Sequence, residues 1–189
     1  MISLEKIKEK DLKLIAQWKT NQSIIKYIDT KPMITLKEQL NWLKAIRNNN
    51  KCIYWIINNY GIKIGIIKLN NINFANKICD LEYYIGDIHF RGRKISPILI
   101  YNIYEYVFEH MNFKEICCNI KVSNKHAINI SKKMGCEIKD KLKQDIYQNE
   151  KDIAIVCLYI TKEKWNGIKN NYDFEKIFID DQNLYTTCI

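Results

Sequence analysis

Three apolar, strand-like stretches follow one another between residues 53 and 85, with no helix-length segment between them. Ile53, Trp55 and Ile57 alternate, Asn58-Asn59-Tyr60-Gly61 forms a turn, and residues 63–70 run back as the partner strand. A polar loop over residues 70–77 leads to a third strand at 79–85. There Cys79, Leu81, Tyr83 and Ile85 take one face, and Asp80, Glu82 and Tyr84 take the other. Strands joined this tightly pair antiparallel. After residue 85 the spacing changes. Strands at 115–122 and 136–143 are each reached through a helical segment, at 96–112 and 124–134, and a last strand follows at 153–160. Hairpins and helical crossovers in one chain specify a mixed sheet flanked by helices, an α/β fold.

The N-terminal part adds one strand and two helices. Residues 2–8 alternate weakly. From Glu9 the period lengthens, with Leu12, Leu14, Ile15, Ala16 and Trp18 on one broad face ending near Asn21. Thr35-Leu36-Lys37-Glu38 is a capping box that opens a second helix, which Asn48-Asn49-Asn50 ends after Arg47. Ser96-Pro97 reads as an N-cap followed by proline at the first helical position, and Gly135 as a C-cap. The expected order is β-α-α-β-β-β-α-β-α-β-β. At 189 residues the chain has room for one domain, expected over 1–165. Residues 166–189 are polar but carry Tyr172, Phe174, Ile177, Phe178, Ile179, Leu184 and Tyr185, so they are expected to dock as an extension.

Charge and cysteines narrow the function classes. The net charge is +9, but the 30 basic residues comprise 27 lysines and only three arginines, Arg47, Arg91 and Arg93. The lysines are scattered rather than gathered into a stripe, so a solvated surface is expected and a nucleic-acid partner is not. Seven cysteines, Cys52, Cys79, Cys117, Cys118, Cys136, Cys157 and Cys188, occur without C-x-x-C or paired-histidine spacing. Structural disulfides and a metal site are therefore not expected, and a reducing cytoplasm is. No apolar run is long enough to span a membrane. Met1-Ile2-Ser3-Leu4-Glu5-Lys6 is charged early and is expected to carry no secretory leader.

The stretch that points to chemistry is Arg91-Gly92-Arg93-Lys94-Ile95-Ser96, between a strand and an apolar helix. A loop that opens a helix presents free backbone N–H groups and the positive end of the helix dipole, and so suits an anion. Two of the three arginines lie in it. Other phosphate and nucleophile signatures, G-x-x-x-x-G-K-[ST], G-x-G-x-x-G and G-x-S-x-G, do not occur.

That hexapeptide resembles the R/Q-x-x-G-x-G/A signature of the GNAT N-acetyltransferases, and the element order resembles theirs. Asn124, Ala127, Ile130, Lys133 and Gly135 are similar to the family's N-x-x-A/S-x-x-L-x-x-K-x-G helix, and Asp80-Leu81-Glu82-Tyr83-Tyr84-Ile85 to its fourth strand. The resemblance implies acetyl-coenzyme A as donor, held by Arg91, Gly92, Arg93, Lys94, Ile95, Ser96 and Asn124. It implies direct acetyl transfer to an amine in a ternary complex. Glu82 would be the base, alone or through water, with Asp80 and Tyr84 on its face, and a backbone N–H at Tyr84 or Ile85 would meet the oxyanion. The other reading of Glu82 is a strand carboxylate paired with a lysine. Two positions depart from the pattern: Lys94 replaces the second loop glycine, and Ser131 replaces the tyrosine that is commonly the acid. Tyr147 lies in the turn at 143–151 as a substitute; His89, His110 and His126 read as structural.

Gln17-Trp18-Lys19-Thr20-Asn21, Ile25-Lys26 and Ile34-Thr35-Leu36-Lys37-Glu38-Gln39-Leu40-Asn41-Trp42 further resemble the aminosugar N-acetyltransferases of pseudaminic-acid biosynthesis. This implies a nucleotide-linked 4-amino-4,6-dideoxy sugar as acceptor, against Trp18, Asn21 and Gln39, in a monomer or homodimer. Trp18 equally suits a core position. The competing expectations are acetylation of protein N-termini or lysines, and a GNAT-fold module that binds without catalysing.

Overall fold

The computed structural model describes residues 1–28, 35–148 and 151–181, with the side chains of 140–153 left out. Cys188, Leu184, Tyr185 and the Tyr147 side chain thus lie outside the description. The strands are β1 (Ile2–Lys6), β2 (Ile53–Asn59), β3 (Ile62–Asn73), β4 (Ile78–Ile85), β5 (Glu115–Lys121), β6 (Glu137–Gln148), β7 (Lys151–Thr161) and β8 (Phe178–Ile179). The helices are α1 (Leu12–Thr20), α2 (Gln22–Ile25), α3 (Leu36–Arg47), α4 (Ile95–Glu105), α5 (Lys125–Lys133) and α6 (Lys162–Ile168). All eight strands form one mixed sheet in the order β6-β7-β5-β4-β3-β2-β1-β8. The β4–β5 and β1–β8 pairs are parallel, and the other pairs are antiparallel.

The sheet is buried on both faces, which explains the unbroken apolar run of β2. Trp55 and Ile57 point into one core with α4 and Trp165, while Ile56 points into the other with Leu12, Ile15, Trp18 and Leu43. On β3 the alternation slips at Ile64 and again between Asn70 and Asn73. Ile57 is opposite Gly65 but Asn58 is opposite Lys63, so Ile64 is an extra residue. The bulge turns Ile64 to the same core as Ile67, while Ile66 faces the other.

Several boundaries differ from expectation. The first strand stops at Lys6, and Lys8 precedes a 3₁₀ turn at Glu9–Asp11. The long buried helix ends as a π turn over Tyr106–His110. α6 brings Trp165 into the core, where it is fully buried. In the C-terminal stretch β8 pairs with β1, the Trp55 indole donates to the Asp180 carbonyl at 2.8 Å, and Tyr172 stacks on Trp165. The Thr35–Glu38 capping box forms with both reciprocal bonds. Ser96 does not cap α4. Lys94 is the N-cap, in the left-handed region at φ 58°, which makes Ile95 the first helical residue and Pro97 the third. Proline is tolerated there because the first turn's N–H groups have no helical partner.

Candidate active site

β4 and β5 are paired only at Ile78–Glu115, Cys79–Ile116 and Asp80–Cys117. Beyond Asp80, β4 stays with β3 to Ile85, while β5 stays with β7 to Lys121. The sheet forks, and a cavity of about 290 Å³ opens in the fork. Residues 81–85 of β4 form one wall, and Cys118, Asn119 and Ile120 of β5 the opposite one. Arg91, Gly92 and Ser96 close one end, Asn124, His126 and Ser131 line the α5 side, and Ser23, Ile24, Tyr27 and Ile28 add a wall from α2 and the turn after it.

Backbone direction within β4 follows from two contacts. The Ile85 carbonyl accepts from the Arg91 Nε at 3.0 Å, on the cavity side. The Tyr84 carbonyl lies on the opposite side, 2.2 Å from where a Cβ on Gly65 of β3 would stand. A strand residue's N–H and C=O point the same way, so the Ile85 N–H faces the fork and the Tyr84 N–H faces β3. Of the two backbone donors anticipated for the oxyanion, only that of Ile85 points into the cavity.

Glu82 lines the cavity with its carboxylate fixed from β3. Lys68, directly opposite in register, reaches one oxygen at 2.9 Å, and the Asn70 amide donates to the other at 2.6 Å. Glu82 is thus both a cavity carboxylate and a lysine-paired one. Asp80 is not on the cavity wall; it accepts from Asn71 at 2.8 Å and from Asn119 at 3.3 Å, and burial pushes its carboxyl up. Tyr83 shares a side-chain hydrogen bond with Ser96, and burial raises its phenol to about 12. Burial also holds the Tyr84 phenol well above its ordinary range.

In the basic loop Gly92 (φ 76°) and Lys94 (φ 58°) both take left-handed backbone. A glycine is the usual solution there, and Lys94 adopts the same conformation with its side chain exposed. Arg93 is also exposed, stacked over Phe90. Arg91 turns inward: besides the Ile85 bond, its Nη1 donates to the Ser23 hydroxyl at 2.9 Å. Its Nη2 is buried and has no protein partner. Asn124 caps α5 by accepting from the Ala127 N–H at 3.2 Å, and Ser131 is buried in the cavity wall.

Trp18, Asn21 and Gln39 are not brought to this cavity. Trp18 is 6% exposed, packs edge-on to Tyr84, and lies so close to Gly86 that a Cβ there would stand 2.3 Å from the indole. It is a core tryptophan with no face free to stack on a ligand. Asn21 caps α2, accepting from the Ser23 N–H at 2.9 Å, and Gln39 is buried on α3. The N-terminal part lines the cavity instead through α2 and the turn after it, whose Ser23, Ile24, Tyr27 and Ile28 sequence reading passed over. An Asn-x-Ser cap at residues 21–23 is the signal that marks it. His126, set aside as structural, lines the cavity; His89 and His110 do not.

A forked α/β sheet with a helix N-terminus at one end of the fork and a carboxylate on its wall defines an acyltransferase scaffold. Residues 2–137 match the acetyltransferase (GNAT) domain family, and the chain belongs to that family. It is an N-acetyltransferase of the GNAT type, with acetyl-CoA as donor. Comparison with curated protein sequences gives no match. Among solved structures the chain is similar to spermidine N-acetyltransferase from Vibrio cholerae in complex with CoA and spermine, at 19% identity and TM-score 0.80, over 87% of this chain and 98% of that one. A dodecameric form of the Vibrio cholerae enzyme matches at 19% identity and TM-score 0.74, over 87% and 95%. Among the described residues no helix is long and apolar enough to cross a membrane.

Proposed function

We propose that the chain transfers the acetyl group of acetyl-CoA to a primary amine of a small acceptor entering the fork beside α2, and that this acceptor is a nucleotide-linked amino sugar. One observation carries the acceptor class. Among the described lining residues Glu82 is the only carboxylate, and Lys68 already neutralises it. A polyamine, the substrate class of the spermidine N-acetyltransferases, would place several ammonium groups where one paired acid is available. A neutral or anionic acceptor with a single amine suits these walls better, and Tyr27, exposed on the α2 side with Lys26 over its ring, offers a face for a base or sugar ring.

The residues fit the donor. The first turn of α4, from Lys94 to Ser96, offers backbone N–H groups to a diphosphate, and the buried, unpartnered Nη2 of Arg91 is a donor awaiting an acceptor. The open edge of β4 from Leu81 on offers backbone groups to an extended amide arm, with Asn124 on the α5 side. Acetyl-CoA supplies the activated acyl group, and the chain supplies the rest. Glu82 takes a proton from the acceptor ammonium, directly or through a water; each of its oxygens keeps a free lone pair beside the Lys68 and Asn70 bonds. The Ile85 N–H is the donor for the carbonyl oxygen. Ser131, buried on the α5 side of the cavity, stands at the position of the tyrosine that commonly protonates the leaving thiolate. A thiol of pKa roughly 8.5 leaves without a strong acid, so a serine suffices there.

The test is an acceptor panel with acetyl-CoA: nucleotide-linked 4-amino-4,6-dideoxy sugars, spermidine, and peptides with free N-termini or lysines. Turnover of an amino-sugar nucleotide in preference to the others is expected. Preferential acetylation of spermidine or of peptides would refute the acceptor class and leave the donor site intact.

A further inference from the structure

Arg91 belongs to the loop that opens α4, yet two of its three guanidinium nitrogens are used elsewhere. Nε donates to the Ile85 carbonyl at the end of β4, and Nη1 donates to the Ser23 hydroxyl on α2. That hydroxyl in turn donates to the Asn21 side chain at 2.7 Å, the same carboxamide oxygen that caps α2. The third nitrogen, Nη2, is buried without a partner in a residue that lines the fork. One rigid planar group therefore ties the end of β4 to the α2 wall, in a residue of the loop that opens α4. α2 is a four-residue helix, too short to be stable alone, so its place depends on such contacts.

We infer that Arg91 and Ser23 are positioning residues that couple the donor site to the acceptor wall: an anion received at the α4 loop fixes the guanidinium, and the guanidinium fixes α2 through Ser23. The inference rests on acetyl-CoA occupying the α4 loop, as proposed above. A guanidinium has no freedom to satisfy Nη2 without also setting the direction of Nη1, because the fork is planar. A diphosphate oxygen on Nη2 thus tightens the Nη1–Ser23 bond, and α2 docks in the position that lines the cavity. Donor and acceptor then favour each other's binding, and linkage makes the coupling reciprocal.

The test uses CoA and needs no acceptor. Calorimetry first establishes CoA binding and the saturating concentration for wild type, Ser23→Ala and Ser23→Thr. Amide hydrogen exchange is then followed for the peptide spanning residues 21–28, whose Ile24, Ile25, Tyr27 and Ile28 amides are hydrogen-bonded within the α2 turn. In wild type and in Ser23→Thr, which keeps the hydroxyl, CoA is expected to slow exchange about fivefold or more, the lower end of typical inter-site coupling. In Ser23→Ala, saturated with CoA, exchange should change by less than about twofold. Equal slowing in Ser23→Ala, or none in wild type while CoA binds, overturns the coupling and leaves the proposed function standing. Absence of CoA binding to the wild type overturns both.

Discussion

Lys19 offers a quantitative test of the packing between the sheet and α1. It lies on α1, only 5% exposed, with its ammonium 4.3 Å from the centre of the Trp42 ring. Burial, and secondarily the charge of Lys68, lowers its pKa from 10.5 to about 8. That displacement corresponds to roughly 3 kcal/mol of disfavour for the charged form. The indole returns about 1–2 kcal/mol as a cation–π contact. Replacing the ammonium by an apolar group of similar length, Lys19→Met, should therefore stabilise the protein by about 1–2 kcal/mol at pH 7, or about 3–6 °C in Tm for a chain of this size. The pH dependence gives the sharper signature. At pH 7 both folded and unfolded Lys19 carry the proton, and its contribution has no slope. Between about 8 and 10.5 the folded protein has released the proton and the unfolded chain still binds it, so stability rises with pH. The advantage of Lys19→Met should thus shrink between pH 7 and pH 9.5. Burial raises the Cys79 thiol to about 12, which opposes this slope, but it does so in both proteins and cancels in the difference. Urea denaturation of the pair at the two pH values measures it. A variant less stable than wild type at pH 7, or an advantage unchanged at pH 9.5, would refute the reasoning.

Glu82→Gln should lower kcat/KM for the true acceptor by about 10²–10⁴ while leaving the urea midpoint nearly in place, since its partners Lys68 and Asn70 remain at a half-open wall; steady-state kinetics at saturating acetyl-CoA check it. Lys94→Gly removes a side chain from left-handed backbone and should stabilise the fold by about 1 kcal/mol, read by thermal melting, with calorimetry against CoA reporting whether the exposed ammonium contributes to the donor site. Gly86→Ala would force Trp18 aside, because no Cβ fits 2.3 Å from the indole; a loss of about 1–3 kcal/mol is expected in denaturant titration, with a changed tryptophan emission spectrum.

The order of elements was legible because the chain changes pattern where it changes structure: short apolar runs separated by turn signals through β2, β3 and β4, then helical spacing before β5 and β6. The Thr35 capping box and the basic loop were legible because each is a local pattern. What escaped was set by partners distant in sequence. α2 has four residues, fewer than two turns, and shows no periodicity to read. The Lys68–Glu82 pair needs the β3–β4 register, and the bulge at Ile64 shifts the face of the strand just before it. Trp18 was ambiguous between a core and a ligand wall until Gly86 was found beneath it. Ser96 resembled an N-cap by residue type, but the left-handed turn at Lys94 starts the helix one position before it. The C-terminal stretch was expected to dock from its aromatic and aliphatic side chains, but its pairing partner, β1, lies at the other end of the chain and could not be read from them.

The placement of the site follows from where the sheet fails to stay paired. β4 must satisfy β3 on one side along its whole length, while β5 must satisfy β7, and the two preferences diverge after Asp80. At that last rung, Asp80 accepts from Asn71 on β3 and Asn119 on β5, so a side chain takes over the cross-strand contact where the backbone ladder gives out. Burial pushes the Asp80 carboxyl up, which makes these amide donors the compensation for its desolvation. Asp80 and Glu82, two residues apart on the same face, are thereby given different work by position alone. The first lies below the fork and ties its strands together; the second lies above it, where the strands have parted and its carboxylate lines the cavity, as the proposed base must.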